Sequence, residues 1–158
     1  MNGGVDMKVE YGAREDIFVW MNLVDEVRDN FPGLETEEAM ENHTGLVCRL
    51  MRERRALCVK MDDSIVGVLL FSTRRNAINF LAVAPTYRRM GIATALVKKA
   101  ISLLDPNRKI SVTTFRANDP KGAAPRAFYS RLGFTPGELT AEFNYPLQVF
   151  VRPPEKQR

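Results

Sequence analysis

Hydrophobic residues recur along this chain with two periods, and the switches between those periods predict its elements. Met7–Tyr11 alternates apolar and polar side chains, as a strand does. Ala13–Arg28 places Ile17, Trp20, Met21, Val24 and Val27 on one helical face. Glu15 and Asp16 lie early in it, where the helix dipole favours acids. Phe31-Pro32-Gly33 ends the segment. A second helix is predicted over Thr36–Arg54, with Thr36 as its cap and an apolar stripe of Ala39, Met40, His43, Val47, Leu50 and Met51.

Ala56–Met61 and Ile65–Thr73 read as strands joined by the turn Asp62-Asp63-Ser64, and Ala77–Val83 as a third strand stopped by Pro85. Gly91–Leu104 is the clearest helix, with Ile92, Leu96, Ala100 and Leu103 on one face. Ile110–Phe115 is rich in β-branched residues and reads as a strand. Pro125–Leu132 reads as a short helix closed by Gly133, and Gln148–Arg152 as a final strand, with one more strand available near Phe134–Leu139. The order is β-α-α-β-β-β-α-β-α-β. A strand-helix-strand unit implies a right-handed crossover, so Ala77–Val83 and Ile110–Phe115 should run parallel and the other strands antiparallel. One domain over residues 7–152 is expected, with flexible ends at 1–6 and 153–158.

Composition narrows the function. The 158 residues carry 23 basic and 19 acidic side chains, a net charge of +4. This mild excess suits an anionic small ligand. The basic residues are scattered and not gathered into a stripe with interleaved aromatics, so no nucleic-acid partner is expected. Cys48, Cys58 and His43 are too few for a zinc site, so no metal is expected, and two cysteines do not make a disulfide scaffold. The first residues lack a charged start followed by an apolar run, and no apolar stretch approaches a bilayer span. A cytoplasmic protein without a membrane partner is the expectation.

The chemistry concentrates in Val83-Ala84-Pro85-Thr86-Tyr87-Arg88-Arg89-Met90-Gly91-Ile92-Ala93. It joins a strand to a strong helix. A helix start offers free N–H groups and the positive end of the dipole, and so can bind phosphate. Gly91 lets the backbone approach a pyrophosphate, and Arg88 adds a fork of donors. The sequence lacks the Gly-Lys-Ser/Thr ending of a P-loop and the GxGxxG of a dinucleotide fold.

Arg88-x-x-Gly91-x-Ala93, following Val83-x-Pro85, resembles the acetyl-CoA pyrophosphate motif of the GNAT superfamily of N-acetyltransferases. Ala127-Phe128-Tyr129-Ser130-Arg131-Leu132-Gly133-Phe134 is similar to a second motif of that family, Phe/Leu-Tyr-x-x-x-Gly-Phe. The resemblance follows element order from about Lys8 to Val151 and is motif-level between Val83 and Phe134. It implies an α/β fold of the α+β type: a mixed, mostly antiparallel sheet of six to seven strands, helices on both faces, and the parallel pair splayed at the acetyl-CoA site. It further implies that Arg88, Arg89, Met90, Gly91, Ile92, Ala93 and Thr94 hold the pyrophosphate. Backbone amides at Leu81, Ala82 and Val83 would polarise the thioester carbonyl. Tyr129 is the implied catalytic residue, protonating the leaving thiolate. The family's asparagine seven residues before this tyrosine is Gly122 here, so Asn118 or a backbone group would serve the cofactor arm.

The resemblance points to acetyl transfer from acetyl-CoA, as co-substrate, to a primary amine on a small molecule or peptide by direct attack, and to a possible homodimer. The alternative is a non-catalytic acyl-CoA-binding regulatory domain, because fold alone does not fix function. Glu35, Glu37, Glu138 and Glu142 are available as bases, though each reads more simply as a solvated or helix-start charge. His43 reads more simply as a partly buried spacer. Glu142–Gln148 fits equally an acceptor-pocket wall and a strand-connecting loop.

Overall fold

The computed structural model describes residues 7–155. Of the ends expected to be flexible, 1–6 and 153–158, residues 1–6 and 156–158 lie outside the described residues. Within them the tail is tied down at Glu155, whose N–H donates to the Pro106 carbonyl at 2.9 Å. Among the described residues no helix is long and apolar enough to cross a membrane.

In chain order the elements are β1 (Val9–Tyr11), α1 (Ile17–Val27), α2 (Glu37–Arg52), β2 (Ala56–Met61), β3 (Ser64–Ser72), β4 (Ala77–Val83), α3 (Ile92–Leu103), β5 (Ile110–Phe115), α4 (Ala123–Arg131), β6 (Thr135–Glu142) and β7 (Tyr145–Arg152). The strands form one seven-stranded sheet in the order β1-β2-β3-β4-β5-β7-β6. The expected parallel pair is present as β4 with β5, in register at Ala77–Ser111 and Ile78–Val112. β7 lies antiparallel to both β5 and β6.

The chain divides into two compact units. The first contains the described residues up to Phe71 together with Phe80–Ala100; the second contains Ser72–Asn79 and the residues from Ile101 onward. In the first unit, Trp20, Leu23, Val24 and Val27 of α1 are buried, the i, i+3, i+4, i+7 stripe of an amphipathic helix. Ile17 and Met21, expected on that face, are only half-buried and Leu23 replaces them. A 3-10 turn at Arg14–Asp16 precedes the α-helix, which starts at Ile17. Thr36 caps α2 as expected, its Oγ1 accepting the Ala39 N–H at 3.0 Å. β3 is buried along nearly its whole length. At Gly67 a Cβ would lie 2.5 Å from Ile92, so glycine there lets the first turn of α3 sit against β3.

In the second unit the turn between β3 and β4, at residues 73–76, ends on Asn76. Its buried side chain accepts the Asp105 N–H at 2.8 Å and donates to the Asp105 and Lys109 carbonyls at 3.1 Å each. It thereby holds the start of β4 to the chain entering β5. α4 is docked by Arg126, whose guanidinium donates to the Phe115 carbonyl at 2.9 Å and to Gln148 at 2.7 Å. Glu142–Gln148 is the end of β6, a two-residue hairpin turn at Phe143 and Asn144, and the start of β7. Both turn residues have positive φ, 54° and 61°.

Candidate functional site

In the first unit, the segment from β4 to α3 is built to leave backbone donors open. Pro85–Tyr87 forms a 3-10 turn. Arg89 and Gly91 then both adopt left-handed backbone, at φ 65° and 82°. For Arg89 that conformation costs about 1–2 kcal/mol, strain of the kind that collects at ligand sites. The first hydrogen bond of α3 runs from the Ala95 N–H to the Gly91 carbonyl at 3.0 Å. The amides of Ile92, Ala93 and Thr94 therefore have no partner within the helix. Gly91 is exposed, and only the Met7 Cε lies as near as 4.0 Å to where its Cβ would be. Arg88, Arg89 and Met90 are exposed, Ile92 is buried, and Ala93 and Thr94 are half-buried.

Leu81, Ala82 and Val83 fill the end of β4. The Ala84 N–H donates to the Val66 carbonyl of β3 at 2.8 Å. Amide directions alternate along a strand, so the Ala82 N–H also faces β3. The Leu81 and Val83 N–H groups face the other edge. The sequence gives no hint of this difference between neighbours.

Asn118 and Tyr129 belong to the second unit. Asn118 is exposed in the loop after β5. Its neighbour Asp119 fixes that loop by accepting the Tyr145 hydroxyl at 2.6 Å and the Lys121 N–H at 2.9 Å. Gly122 cannot be replaced by a larger residue on this backbone, because a Cβ would stand 2.9 Å from the Arg116 carbonyl oxygen. The space an asparagine would need is taken by the loop itself.

Tyr129 lies in the last turn of α4 and is 6% exposed. Its ring meets Phe134 edge-on at 5.6 Å and Phe128 at 5.1 Å. The helix ends there in a paired cap. The Phe134 N–H donates to the Tyr129 carbonyl and the Gly133 N–H to that of Ser130, at 3.0 and 3.1 Å. Gly133 supplies the left-handed residue at φ 91°. This is a Schellman motif with its accompanying hydrophobic contact. The spacing Tyr129-x-x-x-Gly133-Phe134 is therefore a helix stop that also orients the tyrosine. Burial raises the Tyr129 pKa, so the phenol keeps its proton well into alkaline solution. No hydrogen bond to its hydroxyl occurs among the described residues.

His43 lies on α2, its ring 4.8 Å from that of Phe80. Its Nε2 is buried without a hydrogen-bond partner among the described residues. Burial lowers its pKa below the ordinary 6.5 and keeps the ring neutral. The unfolded chain takes up a proton on this histidine as pH falls through about 6.5, where the folded chain does not. Stability from this group is thus complete above about pH 6.5 and declines below it, until the lowered folded value is passed. Urea melts at about pH 7.5 and 5.5 should show a drop for the native chain and a smaller drop for His43→Leu.

Residues 20–134, well over half of the chain, match the model of the Acetyltransferase (GNAT) family. The chain belongs to the GNAT acetyltransferase family. Solved structures agree in fold. A GNAT-family acetyltransferase from Bacillus cereus ATCC 10987 has a TM-score of 0.71 and 21% identity, covering 94% of this chain and 98% of its own. The PaiA N-acetyltransferase from Thermoplasma acidophilum, in complex with coenzyme A, has a TM-score of 0.71 and 14% identity over 94% and 99% of the two chains. A ribosomal-protein-alanine N-acetyltransferase from Brucella melitensis has a TM-score of 0.70 and 16% identity over 92% and 99%. None of the curated proteins matches the chain. As a GNAT acetyltransferase the protein takes its acetyl group from acetyl-CoA. The open amides and left-handed glycine at the start of α3 fit a pyrophosphate.

Proposed function

We propose that this GNAT protein is an N-acetyltransferase that moves the acetyl group of acetyl-CoA to a primary amine by direct attack. The observation that carries this reading is the start of α3, where three helical amides without partners in the helix follow an exposed glycine at φ 82°. Ile92, Ala93 and Thr94 would donate to the pyrophosphate, and Arg88 would add charge from the preceding turn. Met90 and Arg89 hold the turn that presents them. The Leu81 and Val83 amides are suited to polarise a thioester carbonyl, as oxyanion-hole donors do; Ala82 contributes position and not an amide. Asn118 is a candidate contact for the cofactor arm.

Tyr129 is the proposed acid. A buried phenol that keeps its proton can donate to a leaving thiolate. Direct attack is favoured over an acyl-enzyme because neither cysteine lies in the two motifs. Cys58 is fully buried and its thiol is pushed up to about 12, which leaves it inert as a nucleophile. Initial rates with acetyl-CoA and a responsive amine varied together should give intersecting double-reciprocal lines. Parallel lines would mean a covalent acyl-enzyme.

Arg88→Ala should weaken acetyl-CoA binding by about 1.5–3 kcal/mol, the scale of a charged hydrogen bond. The loss should shrink with added salt and should be absent for a pantetheine analogue without the pyrophosphate. Calorimetry with both ligands measures it. Equal losses for the two would remove Arg88 from the pyrophosphate site.

A further inference from the structure

A cavity of about 540 Å³ opens in the first unit between the end of β1 and the last turn of α2. Tyr11, Cys48 and Met51 line it together with three arginines, Arg14, Arg52 and Arg54. None of its lining residues belongs to the segments proposed for acetyl-CoA. The volume falls in the range of small-molecule sites, roughly 300–1,000 Å³.

The three arginines have no carboxylate partner among the described residues. The nearby acids are committed elsewhere. Glu10 and Asp16 pair with Lys60, and Glu53 pairs with Arg55. The negative end of α2 accounts for Arg52, as for Arg49, in its last turn. It does not account for Arg14, which stands in the first turn of the 3-10 segment before α1, where a helix start favours acids.

Arg54 adds an independent observation. α2 ends in a Schellman motif, with the Arg55 N–H donating to the Leu50 carbonyl at 2.8 Å and the Arg54 N–H to that of Met51 at 3.2 Å. The left-handed position in such a motif is usually glycine. Here it is Arg54, at φ 57°. Its guanidinium is placed over the Tyr11 ring at 3.9 Å, at the rim of the cavity. A strained arginine stands where glycine would be easier, and the exposed Arg14 and Arg52 line the same cavity.

We propose that this cavity is a second ligand site, separate from acetyl-CoA, that takes a small organic anion with two or more negative charges. A polycarboxylate and a phosphate monoester share the chemistry three guanidiniums recognise. The site does not depend on the acceptor amine or on turnover.

Citrate and glycerol 3-phosphate are the two probes, titrated by calorimetry into the protein saturated with coenzyme A so that the α3 start is not available to them. Cys48 provides the second readout. It lines the cavity and is half-exposed, whereas Cys58 is buried, so neutral iodoacetamide labels Cys48 selectively. At least one probe should bind with a Kd of about 1 mM or tighter and slow Cys48 labelling severalfold. Which probe does so identifies the ligand class. Arg14→Gln and Arg54→Gly should each weaken that binding about tenfold or more. Arg54→Gly should melt no lower than the native chain, because glycine relieves the left-handed strain. Labelling of Cys48 unaffected by either probe at about 10 mM, or equal binding by native protein and a folded Arg54→Gly variant, would overturn the proposal.

Discussion

Tyr129→Phe should lower acetyl transfer by roughly 10²-fold or more while leaving the fold and acetyl-CoA affinity nearly intact. The ring is retained, so its edge contacts with Phe128 and Phe134 and the cap that ends α4 persist. Its hydroxyl has no hydrogen-bond partner among the described residues, so removing it breaks no internal bond. Only a proton donor is lost. The leaving thiolate of coenzyme A develops charge in the transition state, and a donor that strengthens there affects the chemical step more than binding. Because burial raises the Tyr129 pKa, the native rate should not fall through loss of this proton on the ordinary alkaline side. Single-turnover kinetics at saturating acetyl-CoA measure the effect. A fall of less than about threefold, with chemistry rate-limiting, would assign the proton to water or another group, and would leave Tyr129 as a packed aromatic at a helix stop.

Gly91→Glu should abolish acetyl-CoA binding in a folded protein. No neighbour crowds the site, since the nearest atom to a Cβ there is 4.0 Å away, so the fold has room for the side chain. Two effects act together. A φ of 82° strains any L side chain. The new carboxylate would also occupy the positive end of α3, which the pyrophosphate is proposed to use. Gly91→Gln separates them, because it carries the same strain without the charge. Affinity should fall moderately for glutamine and beyond calorimetric detection for glutamate. Unchanged affinity in a folded Gly91→Glu protein would sink the assignment of this segment to the cofactor.

Much of the fold was legible because local chemistry marks its boundaries. β2, β4 and β5 begin and end where the residue pattern predicts, bracketed by Asp62-Asp63-Ser64, Asn76 and Pro85 and, for β5, by its β-branched run. α4 starts two residues earlier than expected. Pro125 was read as its first residue but stands third, still inside the first turn, where its missing N–H costs nothing. β6 was hard to see because almost every residue in it is exposed, so it carries no apolar alternation. Its pairing with β7 is set by the turn at Phe143 and Asn144, a pair without the glycine that marks such turns.

The candidate site was legible as residue types and not as directions. Arg88, Gly91 and Tyr129 stand out by spacing. That Ala82 aims its amide at β3 while Leu81 and Val83 do not depends on strand pairing far away in sequence. The left-handed backbone at Arg54 and Arg89 likewise has no signature in a sequence that offers arginine there. Gly122 was visible as a departure from the family, and its cause, the Arg116 carbonyl pressed against it, was not.

The central claim, that this GNAT protein transfers acetyl groups to amines, is tested most directly by incubating it with acetyl-CoA labelled in the acetyl group and a panel of primary amines. The panel should span polyamines, aminoglycosides, lysine peptides and peptide N-termini. The account predicts label recovered in amide linkage on at least one class, with one free thiol of coenzyme A released per acetyl transferred, and both signals suppressed in Tyr129→Phe. Stoichiometric binding of acetyl-CoA with no label transferred to any amine would contradict it and would make the protein an acyl-CoA-binding domain on an acetyltransferase fold.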